Sequence, residues 1–247
     1  RDSLRVSDRI KFYIMNSFST EEKTKQHFKE KDFFGVRENI EFFNQFIAPR
    51  ITPDGNYFKL GEEKNSYYGP GHGDFPYAFK ESGMLEKFIG GGGKYIFFSN
   101  VDNLGARVEP AILCYHISAG QELTAEVARK NPGDEGGAPA IVNGRLKLVE
   151  GFSFPENFDD SQIPVFNCST YWLNAEGLKR NFELPWYVVE KEVDGQPVIQ
   201  FEHLAGDLTG VLTSGFLKID RAKRFFPVKR PEDLQEKREK LKTLLGY

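Results

Sequence analysis

The sequence predicts an α/β protein with a mixed, mostly parallel sheet and added antiparallel hairpins. Short runs rich in β-forming residues alternate with helical patterns along most of the chain, which favours parallel strands joined by helices. Asn-Gly and Asp-Gly pairs interrupt this alternation, and such pairs are typical of tight hairpin turns. The chain has 247 residues, of which 39% are hydrophobic, so it can bury a substantial core.

Composition excludes several classes of function. Charged residues make up 28% of the chain and the formal net charge is −3, which gives no basic surface for nucleic acid or membrane. No apolar run approaches the roughly 20 residues that a membrane helix needs. Cys114 and Cys168 are too few for a disulfide framework and predict two buried thiols in a reducing compartment. We therefore expect a cytoplasmic protein without a secretory leader.

The first elements of the chain establish the strand-helix alternation. Residues 11–16 predict a strand, and Ser19 with Glu22 forms a capping-box pattern that predicts a helix over residues 20–31. Residues 42–46 predict the next strand. Two interpretations of Gln45 stay open: its amide satisfies nearby backbone groups, or it reads the edge of a planar ligand.

The loop over residues 69–74 is the first candidate site. Gly71 and Gly73 flank His72, so the backbone can approach a ligand closely while the imidazole points at it. Asp74 predicts the N-cap of a helix over residues 75–88, and a loop that leads into a helix N-terminus favours anions. His27 and His116 fall in predicted helices and are interpreted as structural.

A second candidate site follows the apolar strand predicted over residues 95–99. The glycine-rich residues 90–94 before it are interpreted as a helix-to-strand connection, because a phosphate loop would follow a strand and end in Ser or Thr. Asn100 and Asp102 come directly after the strand, where ligands of open α/β sheets lie. A single carboxylate such as Asp102 is a typical Mg²⁺ ligand, although carboxylates at strand ends also cap helices.

The rest of the chain continues the alternation and ends in a charged helix. The further predicted elements are a helix from Pro110 to about Gly120, a strand over 123–128, a hairpin at Asn143-Gly144, a strand over 165–172, a short helix over 175–181, a hairpin at Asp194-Gly195 and a helix over 232–245.

Six motifs, in order along the chain, resemble the UTP–glucose-1-phosphate uridylyltransferase family. They lie at residues 15–18, 43–51, 69–74, 99–105, 166–172 and 225–229. Each motif is weak alone, but together they cover nearly the whole chain. The resemblance implies a Rossmann-like, glycosyltransferase-A-like core for nucleotide-diphospho-sugar transfer. It also implies a catalytic core over residues 1–229 and a C-terminal helix over residues 230–247.

The resemblance implies Mg²⁺-dependent formation of UDP-glucose and pyrophosphate from UTP and glucose 1-phosphate. The phosphate oxygen of the sugar would attack the α-phosphorus in line, so positioning and charge neutralisation would be the protein's work. On the nucleotide side, the family pattern implies that Gln45 reads uracil. Gly71 would let base and ribose approach the backbone, and His72 would contact the phosphates.

The same pattern implies roles for the second polar segment. Asn100, Val101 and Asp102 would form the sugar-nucleotide binding turn, with Asp102 also the Mg²⁺ ligand. Lys229 would clamp a phosphate near the metal. The catalytic group implied by the resemblance is therefore His72, Asp102 and Lys229.

The family pattern also implies a sugar pocket. Gly137 and Glu150 would line it, and Asn167 and Ser169 would contact the sugar. The family usually has Asn where Ser169 stands, so the identity of the sugar stays open.

Two alternatives to a UDP-glucose-forming enzyme stay open. The first is a UDP-N-acetylhexosamine pyrophosphorylase, against which His72 argues, because the amino-sugar enzymes typically carry Asn there. The second is a non-catalytic sugar-nucleotide binding module, because the family's glycine-rich nucleotide loop is expected before Lys11 and is not found there. The resemblance thus implies a fragment that is inactive without that loop. The oligomeric state is left open.

Overall fold

A computed structural model of the chain describes residues 10–61, 63–131, 133–134, 136–159 and 162–246. Its contacts divide the chain into two compact units. The first unit comprises Arg1–Gly91 and Glu183–Ala205, and the second comprises Gly92–Phe182 and Gly206–Tyr247. In the described part, no helix combines the length and the apolar character that crossing a membrane requires. The division into a core over 1–229 and a terminal helix stays a prediction.

Strands and helices alternate along the described chain. The strands are β1 (Phe12–Asn16), β2 (Ile40–Asn44), β3 (Ala48–Pro49), β4 (Lys59–Leu60), β5 (Lys64–Asn65), β6 (Tyr67–Tyr68), β7 (Tyr95–Ser99), β8 (Leu123–Arg129), β9 (Ala138–Val142), β10 (Arg145–Val149), β11 (Val165–Asn174), β12 (Tyr187–Val193), β13 (Gln196–Glu202) and β14 (Ser214–Lys218). The helices are α1 (Glu21–Glu30), α2 (Phe75–Glu81), α3 (Met84–Gly90), α4 (Pro110–Ala119), α5 (Leu208–Val211), α6 (Arg221–Arg224) and α7 (Pro231–Leu245).

The first unit is built on a parallel pair of strands and an aromatic core. β1 and β2 are parallel and are joined through α1, as a parallel crossover requires. The ring of Phe79 lies at 4.9 Å from that of Tyr13 and at 5.4 Å from that of Phe43, so α2 packs on both strands. The antiparallel hairpin β12–β13 belongs to the same unit.

The second unit contains a four-stranded sheet in the order β14-β8-β11-β7. β14 is parallel to β8, whereas β11 is antiparallel to both β8 and β7. Trp172 of β11 is buried against Phe97 of β7, with ring centroids 4.7 Å apart. This sheet carries the core of the unit.

The prediction of a mostly parallel sheet was wrong for the described residues. There the parallel pairs are β1–β2 and β8–β14, and the other pairs are antiparallel. The reason is the connection between β8 and β11, which contains the hairpin β9–β10 and no α-helical crossover among the residues described there. β11 can therefore run back between β7 and β8, which are linked by α4. The fold is α/β with mixed sheets.

Several local predictions need correction. Thr20, not Ser19, is the N-cap of α1, and it makes no side-chain capping bond. The helix predicted over residues 75–88 is broken into α2 and α3 at Gly83, whose φ of +73° is left-handed. Asp74 occupies the N-cap position of α2, as predicted, but its side chain makes no capping hydrogen bond. Both cysteines are free, but Cys114 is exposed and only Cys168 is buried.

The turn chemistry of the hairpins was predicted correctly. Asn143 and Asp194 both have a φ of +52°, and the glycine after each is also left-handed. The β9–β10 and β12–β13 pairs meet at these two turns. β7, α4 and α7 also lie where the sequence predicted them.

Candidate functional site

The loop of residues 69–74 in the first unit is held by the main chain of His203. The amide of His203 donates to Pro70 O over 2.8 Å, and the amide of Gly73 donates to His203 O over 2.9 Å. A Cβ on Gly71 would lie 2.5 Å from His203 O, and Gly71 also has a φ of +93°. Gly71 is therefore required by close contact with the protein backbone, a reason that the sequence alone did not supply.

His72 is oriented by a hydrogen bond to its ring. The amide of Ala205 donates to Nδ1 of His72 over 3.0 Å. An amide can only donate, so Nδ1 is the acceptor and the proton of the neutral ring is on Nε2. This tautomer presents a donor of the kind that a phosphate oxygen accepts.

Gln45 lies against the same loop. It follows β2, and its backbone amide donates to Asn16 O over 2.8 Å. A Cβ on Gly69 would lie 1.9 Å from Nε2 of Gln45, so the side chain packs directly on the backbone of Gly69. The structure thus brings Gln45, Gly71 and His72 to one place in the first unit, while their roles stay predictions.

Asp74 and His203 form a buried pair behind this loop. Nδ1 of His203 lies 3.3 Å from Oδ1 of Asp74, and the side chains are 9% and 1% exposed. Burial raises the pKa of the Asp74 carboxyl, and the contact with His203 opposes that rise. The His203 ring also stacks on the ring of Trp186, with centroids 3.4 Å apart.

In the second unit, Asn103 fixes the polar turn that follows β7. Its Oδ1 accepts from the amide of Gly105 over 3.1 Å and from that of Phe226 over 2.9 Å. Its Nδ2 donates to Arg224 O over 3.2 Å. One buried amide side chain therefore ties the turn to the segment over residues 224–229.

Asp102 and Lys229 are brought to neighbouring positions by this connection. The amide of Val228 donates to Asp102 O over 2.8 Å, and Lys229 is the next residue. Asn100 and Asp102 are half-buried, whereas Val101 is 94% exposed. The amide of Lys229 donates to Asp233 of α7, and its side chain is exposed.

A buried ion pair anchors the same segment to the sheet. Arg224 donates from Nε and Nη2 to the Glu126 carboxylate over 2.7 and 2.6 Å. Glu126, on β8, also accepts from the indole of Trp172 over 2.9 Å. Both charged side chains are buried, so each depends on the other for its stability.

Asn167 and Ser169 lie at an irregular place in β11. The register between β11 and β8 shifts between Asn167 and Tyr171. Nδ2 of Asn167 donates to the Tyr171 hydroxyl over 2.7 Å, and Oδ1 of Asn167 accepts from the backbone amide of Ser169 over 3.0 Å. Ser169 has a left-handed φ of +49°, a conformation that Asn adopts more readily than Ser. The Asn167 side chain therefore supports the bulge, and its contact with a sugar stays a prediction.

Glu150 lies between two glycines of the second unit. A Cβ on Gly137 would lie 3.1 Å from its Oε2, and a Cβ on Gly206 would lie 3.0 Å from its Oε1. Burial, with a further contribution from the nearby Asp207 carboxylate, raises the pKa of Glu150 to about 7. Near neutral pH this carboxyl can donate as well as accept a hydrogen bond, which suits a hydroxyl-rich ligand.

A cavity of about 760 Å³ in the first unit lies apart from every predicted site residue. The cavity is lined by Lys25, Lys29, Phe33, Arg37, Glu38, Ile40, Glu41, Phe42 and Lys87. Among these residues, the Arg37 guanidinium lies over the Phe33 ring, 4.3 Å from the ring centroid.

Comparison with known proteins identifies the family. A model of the UTP–glucose-1-phosphate uridylyltransferase family matches residues 5–244, so the chain belongs to that family. The UTP–glucose-1-phosphate uridylyltransferase of Hordeum vulgare is 32% identical in an alignment that covers 96% of this chain and 53% of that protein. This chain spans about half the length of the curated relatives that it matches.

Solved structures agree with this assignment. A mutant UDP-glucose pyrophosphorylase from Leishmania major, in complex with UDP-Glc, aligns with a TM-score of 0.80 and 26% identity over 94% of this chain and 56% of that chain. A protein from Entamoeba histolytica named for UDP-N-acetylglucosamine pyrophosphorylase aligns with a TM-score of 0.80 over 91% of this chain and 62% of that chain. Its 24% identity shows the fold alone.

Sequence reasoning missed the residues that hold the two polar segments in place. Asn103 stood inside a recognised motif and Arg224 directly before one, but neither received a role, because their partners lie 121 residues or 98 residues away in sequence. His203 is 129 residues from Asp74 and carried no local signal. Only the folded chain shows these contacts.

Proposed function

We propose that this chain provides the sugar-nucleotide-binding part of a UTP–glucose-1-phosphate uridylyltransferase. The observation that carries the proposal is the clamp by which Asn103 joins the turn over residues 100–105 to the segment over residues 224–229, in a chain of this family. This clamp keeps Asp102 and Lys229 close together. We further propose that the core is Rossmann-like and related to the glycosyltransferase-A fold.

The proposed reaction is one in-line displacement at the α-phosphorus of UTP. An oxygen of glucose 1-phosphate forms the new bond to phosphorus, and the bond to the bridging oxygen of the β-phosphate breaks. Pyrophosphate leaves with the electron pair of that bond. A phosphate monoester is largely ionised at neutral pH, so the reaction needs no general base from the protein. Positioning and neutralisation of charge then account for catalysis.

The roles of individual residues follow from the family pattern and their surroundings. Gln45 and the Gly71 backbone hold uracil and ribose, and His72 donates from Nε2 to a phosphate oxygen. Lys229 neutralises charge that develops on the phosphates. Glu150, with its raised pKa, binds a sugar hydroxyl.

The donor set fits a magnesium ion held mainly by substrate phosphates. The described residues contain no group of three or more His, Cys, Asp or Glu side chains that could hold a metal alone. Mg²⁺ is commonly bound through one or two carboxylates together with phosphate oxygens, and Asp102 supplies one carboxylate. When bound, the ion would neutralise phosphate charge, and we propose Asp102 as its protein ligand.

The decisive experiment measures UDP-glucose and pyrophosphate formation from UTP and glucose 1-phosphate, with and without Mg²⁺. It compares this chain with a version extended at its N-terminus by the family's glycine-rich nucleotide loop. N-acetylglucosamine 1-phosphate serves as the competing substrate, and UDP-glucose binding to each form is measured in parallel.

We expect Mg²⁺-dependent turnover of glucose 1-phosphate in the extended form and UDP-glucose binding in both forms. Preference for N-acetylglucosamine 1-phosphate would instead support an amino-sugar pyrophosphorylase. Binding without turnover in either form would support a non-catalytic binding module.

A cytoplasmic location stays a prediction from the cysteine pattern.

A further inference from the structure

His203 contacts the loop of residues 69–74 through both its main chain and its side chain. The main chain binds Pro70 and Gly73, as two hydrogen bonds of 2.8 and 2.9 Å show. The imidazole reaches Asp74 at the end of the loop over 3.3 Å. One residue therefore contacts the loop at Pro70, Gly73 and Asp74.

His203 and the loop are in close contact along their backbones. A Cβ on Gly73 would lie 2.4 Å from the carbonyl carbon of His203, so the two backbones are in direct contact. The imidazole is buried and is covered on one face by the Trp186 ring, at an interplanar angle of 28°. Two residues further on, Ala205 orients the His72 ring through Nδ1. The same short segment thus fixes both the loop and its histidine.

The pairing of His203 with Asp74 is more costly than packing alone would require. Among the described residues, Nε2 of His203 and Oδ2 of Asp74 are buried without a hydrogen-bond partner. A buried polar pair that is only partly satisfied lowers the free energy of unfolding. If the loop moved away from His203, each partner would also lose the contact that it now makes, so the pair opposes such a movement.

We propose that His203 is a positioning residue of the nucleotide site, acting through Asp74 and the loop backbone on His72. This inference rests on the proposed function, because it takes the loop to be the part that holds the nucleotide. Positioning of a bound group acts on the ground state and the transition state alike, so the effect falls on KM and Kd more than on kcat.

The test compares UDP-glucose binding to the wild-type chain and to His203→Ala, His203→Asn and Asp74→Asn. We expect His203→Ala to raise Kd about tenfold. His203→Asn keeps a short polar side chain and should restore part of the affinity. Asp74→Asn combined with His203→Ala should cost no more than either change alone, because the two act as one unit.

Trp186 provides an optical signal at the His203 ring, on which it stacks. The chain has two tryptophans, so the difference between wild-type and Trp186→Phe emission isolates Trp186. UDP-glucose should alter this emission in the wild type, and in His203→Ala the titration should reach half of its amplitude at about tenfold higher ligand concentration. His27→Ala, at an exposed histidine of α1, is the matched control and should leave both Kd and emission unchanged.

The outcomes separate this inference from the proposed function. A wild-type chain that fails to bind UDP-glucose overturns the proposed function and the inference with it. A wild-type chain that binds, with a folded His203→Ala of equal Kd, overturns the inference alone. If His203→Ala does not fold, His203→Asn with wild-type Kd and an unchanged Trp186 response has the same meaning.

Discussion

The two polar segments of the chain are held in place by different kinds of contact. In the first unit, the loop over residues 69–74 is fixed by backbone contacts with His203, which glycines at 71 and 73 permit, and by the contact of the His203 ring with Asp74. In the second unit, the turn over residues 100–105 is fixed by the side chain of Asn103 and by the buried Arg224–Glu126 pair. Backbone contact depends on small residues, whereas side-chain contact depends on charge and amide chemistry.

This difference determines which substitutions each segment tolerates. The loop should respond to an added methyl group, because there is no space for one beside the His203 carbonyl. The turn should respond to a lost charge or amide, because a buried partner would be left unsatisfied. The predictions below test this contrast in order of decreasing effect.

Arg224→Met tests the side-chain anchor of the second unit. It leaves the buried Glu126 carboxylate without its cation, which typically lowers the free energy of unfolding by about 3–5 kcal/mol. Urea denaturation measures the change. Arg230→Met removes an exposed pair with Asp233 and is the control, with a much smaller expected loss because solvent screens that pair. Equal losses for the two variants would contradict the anchoring role of Arg224.

Lys229→Ala tests the lysine that the segment over residues 224–229 is proposed to place near the substrate phosphates. Turnover of the N-terminally extended form should fall by about 10²–10³, the usual effect of removing one electrostatic stabiliser. Lys223→Ala, at an exposed lysine two residues into α6, is the control and should leave turnover unchanged. Unchanged turnover in Lys229→Ala would remove this lysine from the mechanism.

Glu150→Gln tests the half-buried carboxyl whose pKa is raised by burial and by the nearby Asp207. The pKa of Glu150 is raised from 4.5 to about 7, so between these pH values the folded chain keeps a proton that the unfolded chain loses. The free energy of unfolding should therefore fall as pH rises through this window, by up to about 3 kcal/mol. Glu150→Gln should flatten this part of the pH profile, whereas Glu156→Gln, at an exposed site, should not. Identical profiles for the wild type and Glu150→Gln would contradict the raised pKa.

Gly71→Ala tests the backbone contact of the first unit. Gly71 and Gly83 both have a positive φ, but only at Gly71 would a Cβ meet another atom within 4 Å. Left-handed strain of about 1–2 kcal/mol should affect both Ala variants. Only Gly71→Ala should weaken UDP-glucose binding, by about tenfold or about 1.4 kcal/mol. Calorimetric titration of both variants makes the comparison, and equal affinities would show that the contact does not govern binding.

Much of the fold could be predicted from local sequence. Pro110 and Gly120 mark the ends of α4, and the Asn143-Gly144 and Asp194-Gly195 pairs mark hairpins, because these residues set backbone angles by themselves. Strand direction could not be predicted in this way. β11 is antiparallel to both of its neighbours, and that depends on the connection before it rather than on its own residues.

In the candidate site too, some features could be predicted from local sequence and others could not. His72, Asp102 and Lys229 stand in short motifs that can be recognised without a structure. The groups that hold these motifs act across long stretches of sequence, as the contact of His203 with Asp74 shows. The orientation of His72 by a backbone amide has no sequence signal at all, since any residue other than proline could supply that amide.

The most direct test of the account is amide hydrogen exchange of this chain with and without UDP-glucose. Both polar segments are proposed to contact this ligand, so exchange should slow at residues 69–74 and also at residues 100–105. The helix α1, over Glu21–Glu30, carries no proposed contact and is the internal reference. Slowed exchange in both segments, with α1 unchanged, is the predicted result. Protection of only one segment, or of neither, would contradict the account.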